Sequence, residues 1–350
     1  MPAALGLSTY RWNNNIKSVL LLLAFPLLLL TLVGVVFYAF GWASADPSSH
    51  LVPPQAFQQF NLQPALDTAR PEDFALSAIY TYWPLVTGIA AIWVLVGYFF
   101  NSAMLRAATG AKPVTRTEAP KLYNMLENLC IARGMKVPAF YIIDSDALNA
   151  FASGVDEKSY AITVTRGLLQ RLDDKEMEAV LAHELSHIIN RDCRLLIITI
   201  VFVGMISFLA QMLWRSMRFA AYGRNRSRNG KGGGAALFLL IAAIAALVGY
   251  VLALVLRFAI SRKREYLADA GSVELTKNPE ALIGALRKIS GHSEIPNVPP
   301  EVQQLFIENK PSGLDLGGIF ATHPPLEDRI RVLQQLGGLP AEGKSFIPNS

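Results

Sequence analysis

Four stretches of this chain contain no Asp, Glu, Lys, Arg or His: 18–45, 74–105, 195–214 and 232–256. About 20 apolar residues are enough to cross the hydrocarbon core of a bilayer as a helix, the form that satisfies every backbone polar group internally. A helix in a soluble core has little need of so long a charge-free run. The pattern predicts an α-helical membrane protein with four transmembrane helices, the first two at 18–41 and 79–101 or so. The first run has Arg11 and Lys17 before it, and Ala43-Ser44-Ala45 after it resembles a cleavage site. SVLLLLAFPLLLLTLVGVVFYAF is nevertheless far longer than the core of a secretory signal, so it reads as an uncleaved anchor.

Charge orients the spans. The net charge of +5 is carried by basic residues clustered beside the apolar runs. Membrane orientation and anionic lipid explain that clustering better than nucleic acid, and no nucleic-acid partner is expected. The N-terminus, with Arg11 and Lys17, reads as inside. Segment 46–73 sets Arg70 against Asp46, Asp67, Glu72 and Asp73 and reads as outside. The second run then returns the chain to the cytoplasm. One segment resists this scheme: the glycine-rich loop 215–234 carries six basic residues and no acid, against the usual bias for an outside loop. Either the earlier runs and the soluble part fix the orientation, or the 195–256 hairpin enters without fully crossing. Wholesale inversion would also suit that loop, but the acidic-leaning 46–73 argues against it. Cys130 and Cys193 form no CxxC pair, so neither a disulfide scaffold nor a thiolate metal framework is expected.

The organisation that follows is a membrane region at 1–105, a first soluble half at 106–194, a hairpin at 195–256 and a second soluble half at 257–350. In the first half, Pro120 to Arg133 has helical spacing with proline at its start. AFYIIDS (139–145) and SYAITVT (159–165) read as strands. Asp173 or Asp174 caps a helix with acids in its first turn, and nothing over 174–203 breaks it. Helices are also predicted at 279–290 and 325–336.

Two of the chain's five histidines stand in AHELSH, at 182–187. HExxH places His183 and His187 on one helical face, where both rings reach one ion, and sets Glu184 beside the metal as base for a bound water. A catalytic zinc needs a third protein ligand and an open position. The candidates are Asp192, Glu265, Asp269, His292 and His323. If the helix continues into the third run, His187 stands about 12 Å above the apolar boundary at 1.5 Å per residue. Glu265, beyond the fourth run, stands about 13–14 Å above it by the same rise. An antiparallel hairpin thus brings His187 and Glu265 to one height. Asp269 follows one turn on, placed to accept the second N–H of a ligating histidine.

HELSH, the later REYLAD, NAFASG at 149–154 and THPP at 322–325 together resemble the M48 family of membrane zinc metallopeptidases, in particular the bacterial HtpX-like proteases. The resemblance spans nearly the whole chain, with two apolar runs before HExxH and two after it. It implies a mainly α, small-β-sheet zincin (gluzincin) catalytic domain holding one Zn²⁺ through His183, His187 and Glu265. Glu184 is then general base, and Asp269 supports a ligand. It also implies that NAFASG lies at an edge strand beside the cleft, where Asn149, Ala150 and Phe151 meet an extended substrate. The extra membrane segments of eukaryotic prenyl-protein proteases are absent, and the stretch 41–79 is long for the group.

On this reading Glu184 takes a proton as water attacks the scissile carbonyl and delivers it to the leaving nitrogen. His323, held extended by Pro324 and Pro325, is the candidate donor to the oxyanion or a removable fourth ligand, and Arg329 would assist electrostatically. The expected function is an integral-membrane zinc endopeptidase of the bacterial inner membrane, its catalytic domain facing the cytoplasm. Its substrates would be misfolded or damaged membrane proteins, a role that rests on the resemblance alone. The alternatives are a maturation protease for one peptide or lipidated protein, and a scaffold with a dead protease domain. No sequence motif fixes an oligomeric state.

Overall fold

A computed structural model describes residues 7–45, 71–224, 244, 248, 262–296, 298–308 and 323–338. Most of the fourth apolar run and of segment 46–73 lies outside these residues, as do 225–234, so the expectations for them do too. The loop expected at 215–234 is corrected over its first half, where 215–224 continue the helix that ends at Arg224. In chain order the helices are α1 (Leu7–Ala45), α2 (Pro71–Thr109), α3 (Pro120–Ile131), α4 (Arg166–Arg171) and α5 (Asp174–Ile189). They continue with α6 (Asp192–Arg224), α7 (Arg262–Thr276), α8 (Pro279–Ile289), α9 (Pro300–Gln303) and α10 (Leu326–Gly337). The strands are β1 (Lys112–Pro113), β2 (Ala139–Ile143), β3 (Ala150–Ser153) and β4 (Ala161–Thr165). The chain divides into two compact units.

One unit, from 19–97 and 201–256, is apolar. Among the described residues, α1 and α2 are long and apolar enough to cross a membrane, over Trp12–Tyr38 and Ala75–Thr109. Both exceed the expected 18–41 and 79–101, because their polar flanks stay helical. The start of α2, for example, carries Pro71 at its first position with Glu72 and Asp73 in its first turn. The third apolar run is helical within α6. Phe25 stacks on Phe202 with ring centroids 4.2 Å apart, and the Trp93 indole donates to the Val201 carbonyl at 2.9 Å. Leu23, Leu27, Tyr80 and Ile92 of the same unit are more than 60% exposed, a surface suited to lipid rather than water.

The other unit, from 1–18, 98–200 and 257–350, is mainly helical around a small mixed sheet of order β1-β2-β4-β3. β2 and β4 run parallel, and the outer pairs are antiparallel. AITVT of β4 is buried at every position and needs no alternation, as expected of an inner strand covered on both faces. β3 is an edge. Gly154 ends it at φ 111, where a Cβ would lie 2.5 Å from the Ser159 carbonyl oxygen. The α5 start is a complete capping box: the Asp173 side chain accepts from Glu176 N–H, and the Glu176 side chain accepts from Asp173 N–H. Leu181 and Leu185 of α5 join Phe140, Ile162, Leu282, Ile289 and Leu333 in one core.

The helix expected over 174–203 is interrupted. α5 ends at Ile189, Arg191 takes a left-handed φ of 62°, and α6 begins at Asp192. A non-glycine residue there is disfavoured. The turn it makes folds Asp192 back to within 3.0 Å of His187, a contact that a continuous helix would not offer five residues on.

Candidate metal centre

Two helices in close contact build the site. α5 carries His183 and His187, and α7 carries Glu265 and Asp269, each pair one turn apart. The approach depends on small residues. A Cβ on Gly271 of α7 would overlap the Ser186 side chain of α5, and the Ser272 hydroxyl donates to the Ala179 carbonyl at 2.7 Å. His183, His187 and Glu265 thereby converge, with donor atoms all within 4.8 Å of one another.

The two Nε2 atoms lie 3.2 Å apart. His183 Nε2 is 3.7 Å from Glu265 Oε2, and His187 Nε2 is 3.9 Å from Glu265 Oε1. On the far side of each ring, Nδ1 meets a buried carboxylate: Asp269 Oδ1 at 3.0 Å from His183, and Asp192 Oδ2 at 3.0 Å from His187. A proton on each Nδ1 faces these acids, which turns both Nε2 lone pairs toward each other and toward Glu265. Such a cluster is self-repelling without a cation in its midst. Tetrahedral zinc with two nitrogens at about 2.0–2.1 Å sets them about 3.3 Å apart, so the donor set fits zinc.

Electrostatics follow from burial, since His183, Glu265 and Asp269 are fully covered. Burial pushes the His183 pKa down to about 4, which favours the neutral ring. At His187 burial is outweighed by Glu265 and Asp192, which raise the pKa. Against its own burial, Glu265 is held well below the usual carboxylate range by His323 and His187. Glu184 keeps a buried Oε1 with no hydrogen-bond partner. Burial, with Glu265 adding, raises its carboxyl to about 7 while His187 opposes.

The remaining expected residues take the following places. His323 Nδ1 lies 3.1 Å from Glu265 Oε2 and lines the same narrow cavity as Glu184 and His187, with Leu305 and Phe306. Arg329, expected to assist electrostatically, grips Asp269 with its fork, Nη2 to Oδ1 at 2.6 Å and Nε to Oδ2 at 2.9 Å, and its charge also acts on His183 and Glu184. Asn149, Ala150 and Phe151 are buried and engaged within the chain. The Asn149 amide donates to the Ser293 and Glu308 carbonyls, Ala150 accepts from Ile307 N–H, and Phe151 packs on Phe306. His292 is exposed with Nδ1 at the Ser290 carbonyl, outside the cluster. Sequence reasoning weighed Asp192 only as a ligand; its position behind His187 depends on the turn at Arg191, for which the residue pattern gives no signal.

Residues 116–336 match the family described as Peptidase family M48. A protein named Protease HtpX homolog from Bacteroides fragilis is 44% identical over 336 residues, covering 94% of this chain and 98% of its own. Proteins of the same name from Ligilactobacillus salivarius and Dictyoglomus thermophilum are 37% and 38% identical, covering 72% and 74% of this chain and 84% and 86% of their own. The crystal structure of S. mikatae Ste24p aligns at 20% identity with a TM-score of 0.43, over 81% of this chain and 63% of that one.

Proposed function

Because the chain belongs to peptidase family M48, we propose that it is an integral-membrane zinc endopeptidase with four transmembrane helices and a gluzincin catalytic domain. The names of its bacterial relatives as proteases support the reaction class. Basic Arg11 and Lys17 before the first apolar run support a catalytic domain facing the cytoplasm of a bacterial inner membrane. Misfolded or damaged membrane proteins are the substrates this placement favours.

A single observation carries the chemistry: two imidazole Nε2 atoms 3.2 Å apart, beside one buried carboxylate and a second carboxylate with an orphaned oxygen. His183, His187 and Glu265 would hold Zn²⁺, which when bound acidifies a water and polarises a carbonyl. Asp269 and Asp192 hold the two rings in the ligating tautomer. Glu184, kept dry and basic, takes the proton of the attacking water and passes it to the leaving nitrogen. His323 donates to the oxyanion as it forms. Arg329 acts through Asp269, fixing the carboxylate that fixes His183. An extended substrate lies along the outer edge of β3 beyond Ala150, whose carbonyl already accepts from Ile307 N–H, with Asn149 and Phe151 fixing the strand through the Ser293 and Glu308 carbonyls and Phe306.

The test is Glu184→Gln in full-length protein purified in detergent. Casein cleavage should fall by at least about 10²-fold while zinc stays at one per chain. Undiminished cleavage would remove Glu184 as the base, and a parent protein without stoichiometric zinc would remove the metal.

A further inference from the structure

Behind each metal-facing imidazole stands a carboxylate, and behind each carboxylate stands another donor. For His183 the sequence is Asp269 and then Arg329. For His187 it is Asp192 and then Asn14, which comes from the far end of the chain. Asn14 Nδ2 donates to Asp192 Oδ1 at 2.8 Å, while Asp192 Oδ2 faces His187 Nδ1 at 3.0 Å. The same amide nitrogen donates to the Asn190 carbonyl at 3.0 Å.

These two acceptors lie on either side of Arg191, the residue with left-handed backbone. One NH₂ group therefore clasps both ends of the turn that folds Asp192 back. Asn190 O belongs to the end of α5, where helical carbonyls have lost their own donors. The clasp is dry: Asn14, Asn190 and Asp192 are 3%, 2% and 1% exposed. Asn14 lies in α1 ahead of the long apolar run, and its carbonyl accepts from Ser18.

We infer that Asn14 is a positioning residue of the metal site, acting through Asp192 to aim His187, so that the segment before the first apolar run is part of that site. The inference rests on the zinc reading above. Without the amide, Asp192 Oδ1 and Asn190 O lose a buried donor from α1. The Asp192 carboxylate is then freer to rotate, and the His187 ring with it. Partners of this kind behind a ligand change metal affinity by about 10–100-fold.

The experiment uses the full chain in detergent, with Glu184→Gln throughout so that no self-digestion occurs. Zinc affinity is read by competition with a chromophoric chelator, ligand geometry by the visible absorption of the Co²⁺-loaded protein, and folding by thermal unfolding of the metal-stripped protein. Asn14→Leu keeps the side-chain volume and removes both donors. It is expected to weaken zinc binding by about tenfold and to shift the cobalt bands. Added to Asp192→Ala, it should cost nothing further in affinity. Asn14→Gln retains the donors on a longer arm and should stay closer to the parent than Asn14→Leu. Trp12→Ala, at an exposed position of the same helix, should leave affinity and spectrum alone.

Unchanged affinity and spectrum in Asn14→Leu overturn the proposal. So does a loss that persists in full on top of Asp192→Ala, or an Asn14→Gln variant worse than Asn14→Leu. A parent chain that binds no zinc defeats the zinc reading itself. A parent that binds it normally beside an indifferent Asn14→Leu defeats only the role given to Asn14.

Discussion

Asp269 serves two residues at once, and its burial makes both contacts consequential. One oxygen faces His183 and both accept from Arg329. Arg329→Ala would leave a fully buried carboxylate without its cation, and a broken buried pair costs about 3–5 kcal/mol. Denaturant unfolding of the metal-stripped variant should show a loss of that size. Arg329→Lys should lose less in stability, yet it cannot reproduce the planar two-bond grip. A variant with unimpaired stability would show that Asp269 finds another cation. The difference between Asp269 and Asp192 shows what sequence can convey about single residues. Asp269 was legible because it follows Glu265 by four on a continuous helix, where spacing fixes direction. Asp192 was not, because its direction comes from a backbone reversal at an arginine, and arginine seldom takes that conformation.

Helix packing sets the geometry that those residues use. Gly271 lets α7 lie against Ser186 of α5, and any Cβ there forces the helices apart. Gly271→Ala should cost about 1–3 kcal/mol in stability and Gly271→Val more. Zinc affinity should fall alongside, since Glu265 rides on the same helix as Gly271. Chemical unfolding and chelator competition on the same preparations check both halves. The turn between α5 and α6 gives a prediction of opposite sign. In a continuous helix, glycine costs about 1 kcal/mol against ordinary residues. At Arg191, with φ 62, Arg191→Gly should instead be neutral or stabilising. Destabilisation by about 1 kcal/mol would mean that the helix runs through. The starts of α3, α8 and α10 were readable from Pro120, Pro279 and the proline pair before Leu326. The turn was not, because Asn190-Arg191-Asp192 carries neither proline nor glycine.

For the molecule as a whole, hydropathy announced the membrane-suited helices, and the resemblance announced the edge strand at NAFASG. What neither conveyed was that residues before the first apolar run pack into the unit that holds the site. Composition describes segments one at a time and is silent on which of them meet. Metal should bind the assembled unit and not its separated parts. Zinc added to stripped protein at about 100 times its dissociation constant should therefore stabilise it by about 2.7 kcal/mol. That shift should vanish in Glu265→Gln, and thermal unfolding with and without zinc measures it. The division of this unit into 1–18, 98–200 and 257–350 bears on how the protein is born. A ribosome delivers Asn14 first, His183, Glu184 and His187 much later, and Glu265 only after two further apolar runs have emerged. The nascent polypeptide thus carries an incomplete set of metal donors through translation, until the last quarter of the message is read.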